Sequence, residues 1–407
     1  MTKNDDKRVP ALRFKGFNDD WAQRKLGDVT QRVQGNNNDM NLPILTISAK
    51  NGWMTQVKRF SNIIAGAEKK KYTLLKKGEL SYNHGNSKLA PFGTVFMLDS
   101  YSEALVPKVY HSFKTGKDIE PYFVELYFHT KKVDFQLRKY ISSSARMDGL
   151  LNITYNWFKQ IKIFVPKMNE QNKLKKIFLI LNKYISLQQR KLKQVELLKK
   201  YLLQNLFPTK NEKNAKLLFK GHKEIWREQK ANDIFTEVDT RKVPDNTILS
   251  TTQNGKVVPR NSLGRNLVFS TSKLKNYKLV RSGQFIIHLR SFKGGFATSS
   301  LTGIVSPTYT IFDFKNRTKH DTKFWSILFT NYNFIQSLKS VTEGIRYNGI
   351  AIKFSQFSDL KISFPQLSTQ MDISKIINCL NLSLEKQKLK IQKLQKTKQF
   401  LLQNMFI

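Results

Sequence analysis

The chain has 407 residues, 40% of them hydrophobic, with 70 Lys+Arg against 30 Asp+Glu and a formal net charge of +40. That length is too great for one compact core and asks for two or more domains, while the apolar fraction excludes wholesale disorder. So large a positive charge exceeds what solubility needs. It points to a polyanionic partner, nucleic acid first, with an anionic membrane surface or a merely Lys-rich soluble protein as the alternatives.

The N-terminus, MTKNDDKRVPALRF, is charged where a signal peptide would be apolar. LRFKGFNDDW (Leu12–Trp21) follows. The next hundred residues alternate short β-prone runs such as TVFML and VPKVYHSF with Gly, Asn, Ser and Pro turn signals. Helical spacing appears in Pro121–Ile141, and FKQIKIFVP (Phe158–Pro166) leads into a long periodic segment that closes on YLLQNLFP (Tyr201–Pro208). The second half repeats the plan: β-prone LVFS and QFIIHL, helical spacing over Thr322–Val341, FSDLKISFP (Phe357–Pro365), and a final periodic segment closing on FLLQNMFI (Phe400–Ile407).

These echoes form an internal repeat. LRFKGFNDDW matches LLFKGHKEIW (Leu217–Trp226) at an offset of 205, and Lys25, Asp28 and Val33 map onto Lys230, Asp233 and Val238. From Phe158 to Phe207 one ungapped offset of 199 carries Gln171 to Gln370, Leu181 to Leu380, and Tyr201–Phe207 to Phe400–Phe406. The second copy has therefore lost six residues between these two stretches. The strand-like cores there are similar, but HGNSKLAPFG (His84–Gly93) differs from LRSFKGGFATSS (Leu289–Ser300). Similar scaffolds with different polar loops suit two recognition domains with different targets.

The long segments carry a heptad seam. Leu174, Phe178, Leu181, Ile185, Leu192, Val195, Leu202 and Leu206 advance by steps of four and three, with Gln188 and Lys199 at skipped positions. Ile373, Ile377, Leu380, Leu384, Ile391, Leu394, Leu401 and Met405 do the same, with Gln387 and Lys398 at the equivalent places. Two helices of about 36 residues, roughly 54 Å each at ~1.5 Å per residue, are predicted to pair antiparallel, the polar exceptions pinning register. Each could instead pack only on its own domain. Between Gln171 and Pro208, Glu196 is the only acid beside nine Lys/Arg, a face that is either simply solvated or laid over phosphates. Tyr201, Phe207, Phe400 and Phe406 either face a partner or cap the coiled coil from within.

Catalytic constellations are not found. There is no G-x-G-x-x-G, P-loop or H-E-x-x-H, and no paired-proline motif of an amino-methyltransferase. Glu68 lacks the upstream acid of a nuclease metal site. No run approaches about 18 apolar residues, so no transmembrane helix is expected. The single cysteine, Cys379, excludes an internal disulfide and a CxxC zinc knuckle, favours a reducing cytoplasm, and reads as a small packed residue within IINCLNLSL.

Pro10–Trp21 followed by KLGDV, the second FKGHKEIW with KANDIF, SVTEGIRYNGIAIKFSQFSDLKISFP (Ser340–Pro365), and the paired LLQ-N-hydrophobic-Phe endings together resemble the specificity subunit of type I restriction–modification systems. The first exit, SSSARMDGLLNITYNWF (Ser142–Phe158), departs from the pattern in having no close Gly-x-Arg. The resemblance implies an α+β protein with two mixed target-recognition domains, separated by two long antiparallel coiled-coil helices in a pseudo-two-fold repeat. Residues 1–166 and 213–365 would be the recognition domains, and 167–212 and 366–407 the spacer helices. It implies a non-catalytic, bacterial cytoplasmic DNA-binding subunit, nucleoid-associated through its DNA. Each recognition domain reads one half of a bipartite double-stranded site. Two methyltransferase subunits that bind S-adenosylmethionine would dock on it, and restriction subunits that use ATP and Mg could join. No cofactor is expected in this chain. A stand-alone DNA-binding regulator is the alternative, and an enzyme with a divergent site the rival from another class.

Arg and Lys suit guanine, and Asn and Gln suit adenine, in the major groove. Candidate readers are Lys50, Asn51, Lys58, Asn83, His84, Asn86 and Lys88 in the first domain. In the second they are Asn254, Lys256, Arg260, Arg265, Arg290, Lys293, Ser299 and Ser300. Arg146 and Arg346 stand near the exits. Any of these could instead touch phosphate.

Overall fold

The structure, a computed structural model, describes residues 8–62, 66–85, 87–141, 151–209, 212, 214–219, 221, 226–243, 247–252, 255–263, 274–287, 295–335 and 353–407. The chain divides into two compact units, Met1–Gln189 with Leu389–Ile407, and Arg190–Lys388.

The first unit opens with β1 (Ala22–Lys25), the short helix α1 (Leu26–Val29), β2 (Thr30–Arg32), β3 (Leu45–Ser48), β4 (Gly52–Thr55) and α2 (Gln56–Phe60). It continues with a 3-10 turn (Gly66–Lys71), β5 (Thr73–Lys76), β6 (Leu80–Asn83), β7 (Thr94–Met97), β8 (Glu103–Val106) and β9 (His111–Thr115). Helices α3 (Pro121–His129), α4 (Asp134–Lys139) and α5 (Tyr155–Phe158), strand β10 (Lys162–Val165) and the long helix α6 (Met168–Asn205) follow. A four-stranded antiparallel sheet runs β2-β9-β6-β7, beside two-stranded pairs β3–β4, β5–β8 and β1–β10.

Strand periodicity sorts the side chains onto two faces. Leu80, Tyr82, Val95 and Phe113 join a core with Phe123, Tyr127 and Phe158, while Phe96 packs on Leu45, Ile47, Leu75, Leu98 and Val106. The sheet is thus covered on both sides, by helices on one and by the β3–β4 and β5–β8 pairs on the other.

The second unit repeats this in β11 (Arg227–Lys230), α7 (Ala231–Ile234), β12 (Phe235–Val238), β13 (Leu249–Thr251), β14 (Val257–Pro259), β15 (Lys278–Val280) and β16 (Phe285–Ile287). Then come β17 (Phe296–Thr298), β18 (Gly303–Val305), β19 (Thr310–Phe314), α8 (Thr322–Thr330), α9 (Phe354–Ser358), β20 (Lys361–Phe364) and α10 (Leu367–Asn404). Its sheet, β12-β19-β16-β17, again splits by alternation: Phe285, Ile287, Phe296 and Phe312 face one cluster, Ile286, Ala297 and Ile311 the other.

Pairing registers locate the lost residues. Leu80 pairs with Met97 and Phe113, and Phe285 pairs with Thr298 and Phe312, so the offset is 205 at Leu80, 201 at Met97 and 199 at Phe113. Four of the six residues come out of the β6–β7 connection, the loop in which the two copies read most differently.

The heptad helices are observed as α6 and α10, each of 38 residues. In the first unit Phe178 of α6 lies 6.1 Å from Phe406, just beyond α10, and Lys390 stands 5.2 Å over the Tyr184 ring. As α6 advances its neighbour retreats, which is an antiparallel pair. In the second unit Glu196 lies 3.9 Å from Lys388, and Leu206 shares a core with Ile373 and Ile377. Gln188 is buried at the seam, and Lys199, Gln387 and Lys398 are half-buried there. Burial lowers the pKa of Lys199, with Lys388 adding to it, and burial lowers that of Lys398 against the opposing pull of Glu125. Cys379, expected to pack, is exposed on α10, because it falls between the seam residues Ile377 and Leu380.

The repeated phrases complete cores. Phe406 packs against Trp21, Phe123 and Tyr127, with Leu12 donating its N–H to the Asn404 carbonyl at 2.8 Å. Phe207 packs against Trp226 and Phe324, with Leu217 donating to Asn205 at 3.0 Å. Tyr201 and Phe400 are instead 54% and 58% exposed. The four aromatics thus divide: the Phe after each helix end caps a core, and the ring six residues earlier faces outward.

Candidate nucleic-acid interface

In the first unit the candidate residues converge on the β3–β4 hairpin. Its turn carries Lys50 and Asn51, both exposed. Gly52 closes it at φ +67, where an added Cβ would meet the Phe96 ring at 3.2 Å, so a side chain there is both strained and crowded. Thr55 then caps α2 by accepting the Lys58 N–H at 3.3 Å, leaving Lys58 exposed in the last turn.

The β6–β7 loop is tied to this hairpin by Asn83. Its amide Nδ2 donates to the Ile47 carbonyl at 3.1 Å, and its Oδ1 accepts from Gly85 at 3.0 Å. Reciprocal bonds between Ser87 and Ala90 at 3.2 and 3.1 Å shape the tip, which exposes Lys88. Gly93 returns the chain at φ +80, where a Cβ would lie 2.6 Å from the Asn83 carbonyl. Asn83 therefore works mainly as a strut between hairpin and loop.

His84 differs from the expectation. It is buried, with Nδ1 2.7 Å from the Leu151 carbonyl and Nε2 2.7 Å from the Val109 carbonyl, and it stacks on His111 at 5.1 Å. With both ring nitrogens committed to backbone, it presents nothing to a base edge. Burial pushes the neighbouring His111 down to about 4.

The second unit builds the same corner differently. Thr252 and Lys256 close a turn through a 2.8 Å backbone bond and a 3.1 Å bond to the Thr252 hydroxyl, leaving Lys256 exposed. Lys256 bridges Thr298 in parallel register, which sets the β13–β14 turn beside the end of β17. Ser300 is exposed there. Ser299 is buried, donating to the Leu301 carbonyl at 2.6 Å, so it shapes the turn and offers no free hydroxyl. Arg260 donates to the Tyr277 hydroxyl at 3.2 Å and lies over that ring. Asn86, Arg146, Asn254, Arg265, Arg290, Lys293 and Arg346 lie outside the described residues.

The structure thus brings Lys50, Asn51, Asn83 and Lys88 to one corner of the first unit, and Lys256 and Ser300 to one corner of the second. Arg59 was not anticipated. Its Nη1 donates to the same Ile47 carbonyl that Asn83 uses, placing a guanidinium where hairpin, helix and loop meet. The sequence signal is the Lys58-Arg59 pair itself, whose second member adds a guanidinium beside the expected lysine. Among the described residues no group of three or more His, Cys, Asp or Glu is placed to hold a metal, and no helix is long and apolar enough to cross a membrane.

Residues 18–197 match the family model for the type I restriction modification DNA specificity domain. The fold is similar to that of the type I restriction–modification system S subunit from M. genitalium, with a TM-score of 0.58 at 11% identity over 98% of this chain and 99% of that one. It is also similar to a chain in a structure of complex assembly and conformational transition in a type I R-M system, with a TM-score of 0.51 at 13% identity over 94% of this chain and 96% of that one. The chain thus shares the fold of these solved chains over nearly its whole length, and its residues 18–197 are similar to the type I restriction modification DNA specificity domain.

Proposed function

We propose that the chain is the DNA-reading subunit of a type I restriction–modification enzyme, recognising a bipartite double-stranded site with one half read by each unit. The observation that carries this reading is the duplicated corner. In each unit a β-hairpin turn and a neighbouring strand-end loop are cross-tied, by Asn83 to Ile47 in one and by Lys256 to Thr298 in the other, on scaffolds that agree strand for strand. Equivalent frames with unlike side chains are what two different half-sites require. Lys50, Asn51, Lys58 and Lys88 are the proposed contacts of the first unit, and Lys256, Arg260 and Ser300 those of the second.

The chain itself carries out no chemistry in this proposal. Two methyltransferase subunits, holding S-adenosylmethionine, dock along α6 and α10 and methylate adenines, with exposed Tyr201 and Phe400 among their contacts. Restriction subunits, with ATP and Mg, join through them. Residues 1–166 and 213–365 act as recognition domains, 167–212 and 366–407 as spacers.

Mapping methylated adenines in cells that carry the chain and its methyltransferase partner tests this. A two-part motif is expected, and exchange of residues 22–157 for another recognition domain should change one half alone. A change in both halves, or an undivided motif, overturns the reading. A chain that binds specific DNA but forms no complex with a methyltransferase subunit would favour the stand-alone regulator.

A further inference from the structure

Beside the first reading corner lies a second basic surface whose arrangement is built. Asn36 Nδ2 donates to the backbone carbonyls of Lys70 and Tyr72 at 2.9 and 2.7 Å, clamping the end of the 3-10 turn that carries Lys69, Lys70 and Lys71. Buried Gln56, the first residue of α2, donates Nε2 to the Tyr72 hydroxyl at 3.0 Å. Lys69 donates to the Met40 carbonyl. The lysine turn is therefore held against α2, whose own last turn carries Lys58 and Arg59. Lys58, Arg59, Lys70 and Lys71 are all exposed, and neither Lys58 nor Lys70 is in an ion pair among the described residues. Arg59 in turn shares the Ile47 carbonyl with Asn83, so the surface joins the β6–β7 loop through one backbone oxygen.

Two short elements held together through buried Gln56 and half-buried Asn36 present Lys58 and Lys70 to solvent, and the packing makes no use of those two charges. The ligand that suits them is a row of phosphates. We infer that α2 and the lysine turn form a phosphate-binding surface that grips the DNA backbone next to the first half-site, adding affinity without reading bases. The inference rests on the DNA-reading proposal above; it assigns Lys58, one of the contacts proposed there, to phosphate instead of a base, and adds Lys70 beside it. Lys and Arg contacts to phosphate position a protein on the duplex and carry no sequence information.

The double variant Lys58→Gln/Lys70→Gln, in the full chain, is compared with Lys139→Gln/Lys162→Gln, which removes two exposed lysines elsewhere in the same unit. Binding to a short duplex bearing the methylated motif, and to a scrambled duplex, is measured across a salt series. The first pair is expected to lower affinity about equally for both duplexes, with the slope of log affinity against log salt falling by about 1.8, the counterion release of two phosphate contacts. The control pair should leave the slope within about 0.5 of wild type, and Lys58→Glu/Lys70→Glu should deepen the loss. An unchanged slope, or equal losses in both pairs, overturns the phosphate surface while leaving DNA reading standing. A wild-type chain that binds no duplex in a salt-dependent way overturns both.

Discussion

The side-chain carbonyl of Gln171 accepts the backbone N–H of Glu120 at 2.9 Å. Its amide donates to the carbonyls of Asp118 and Pro166 at 3.0 and 2.9 Å, and the residue is buried. One glutamine thus joins the first turn of α6 to the start of α3, where Glu120 caps the helix by accepting the Phe123 N–H at 2.9 Å. Gln370 does the same in the second unit, accepting from Asp321 at 3.0 Å and donating to Pro365 at 2.9 Å. The clamp orients a long helix on its domain, and orientation of that helix is what a spacer depends on.

Gln171→Leu keeps the volume and leaves one buried N–H and two carbonyls without partners. A loss of about 3 kcal/mol is expected, since each unsatisfied buried group costs ~1–3 kcal/mol and some relaxation follows. Urea unfolding of the full chain measures it, and Gln370→Leu, which strands one N–H and one carbonyl, should cost about 2 kcal/mol in the second unit. A change under ~0.5 kcal/mol, the range of ordinary surface substitutions, would contradict the clamp.

Phe406→Ala removes a ring enclosed by Trp21, Phe123, Tyr127 and Phe178. About 3–5 kcal/mol is expected from lost burial and the cavity left behind, and the same for Phe207→Ala in the second unit. Phe400→Ala and Tyr201→Ala should cost under ~0.5 kcal/mol of stability. Under the proposed docking they should instead weaken capture of the methyltransferase subunit in a pull-down with purified partners.

These residues also mark how far the sequence could be read. The heptad seam was legible because a helix repeats its buried positions at constant spacing, and both copies place Gln and Lys at the same breaks. Gln171 and Gln370 were visible as a repeated pair, but their clamp was not, because their partners lie some fifty positions away in each copy. Phe207 and Phe406 follow the last helical residues Asn205 and Asn404, where helical spacing no longer predicts direction. His84 and Ser299 have the side-chain types of base readers, and type is silent on burial. The importance of Arg59 comes from a carbonyl twelve residues away that it shares with Asn83, a contact that no local sequence pattern marks.

Burial pushes Glu125 up to about 8 and His129 down to about 4. Glu125 accepts the Met97 N–H at 2.7 Å, and Lys398 faces both groups from α10. Between pH 4.5 and 8 folded Glu125 keeps a proton that the unfolded chain has released, so stability falls as pH rises. His129 acts oppositely from pH 4 to 6.5, as do His111 and His320, each held down to about 4 by burial. Lys398 is lowered by burial against the opposing pull of Glu125. From pH 6.5 to 8 the three histidines no longer oppose Glu125, and the first unit should lose stability. Hydrogen exchange of the β7 amides across that range reads it out. Glu125→Gln should flatten the profile, and an unaltered slope in the variant would assign the effect elsewhere.

Lys88 and Lys256 stand exposed on the two reading corners. If each reads a base, Lys88→Ala should relax one position of the first half-motif and Lys256→Ala one position of the second, each by ~1–3 kcal/mol of discrimination. Methylation rates on a panel of single-base variants measure this. A uniform loss across the panel would move the residue to the phosphates.

The spacer prediction turns on the helices being matched. Within the first unit α6 runs against the end of α10, and within the second the end of α6 runs against the start of α10, so a change in one helix alone breaks the seam in both places. Inserting one heptad into each, between Gln189 and Arg190 and between Lys388 and Leu389, preserves the four-three spacing and adds ~10.5 Å at ~1.5 Å per residue. At ~3.4 Å per base pair along the duplex that is about three base pairs. The methylated motif should keep both halves and gain about three unspecified positions between them. An insertion in α6 alone should destabilise the chain, because Gln188 and Leu192 would then face residues one heptad out of place. A double insertion that folds, binds DNA and leaves the spacer unchanged would show that the helices do not set it.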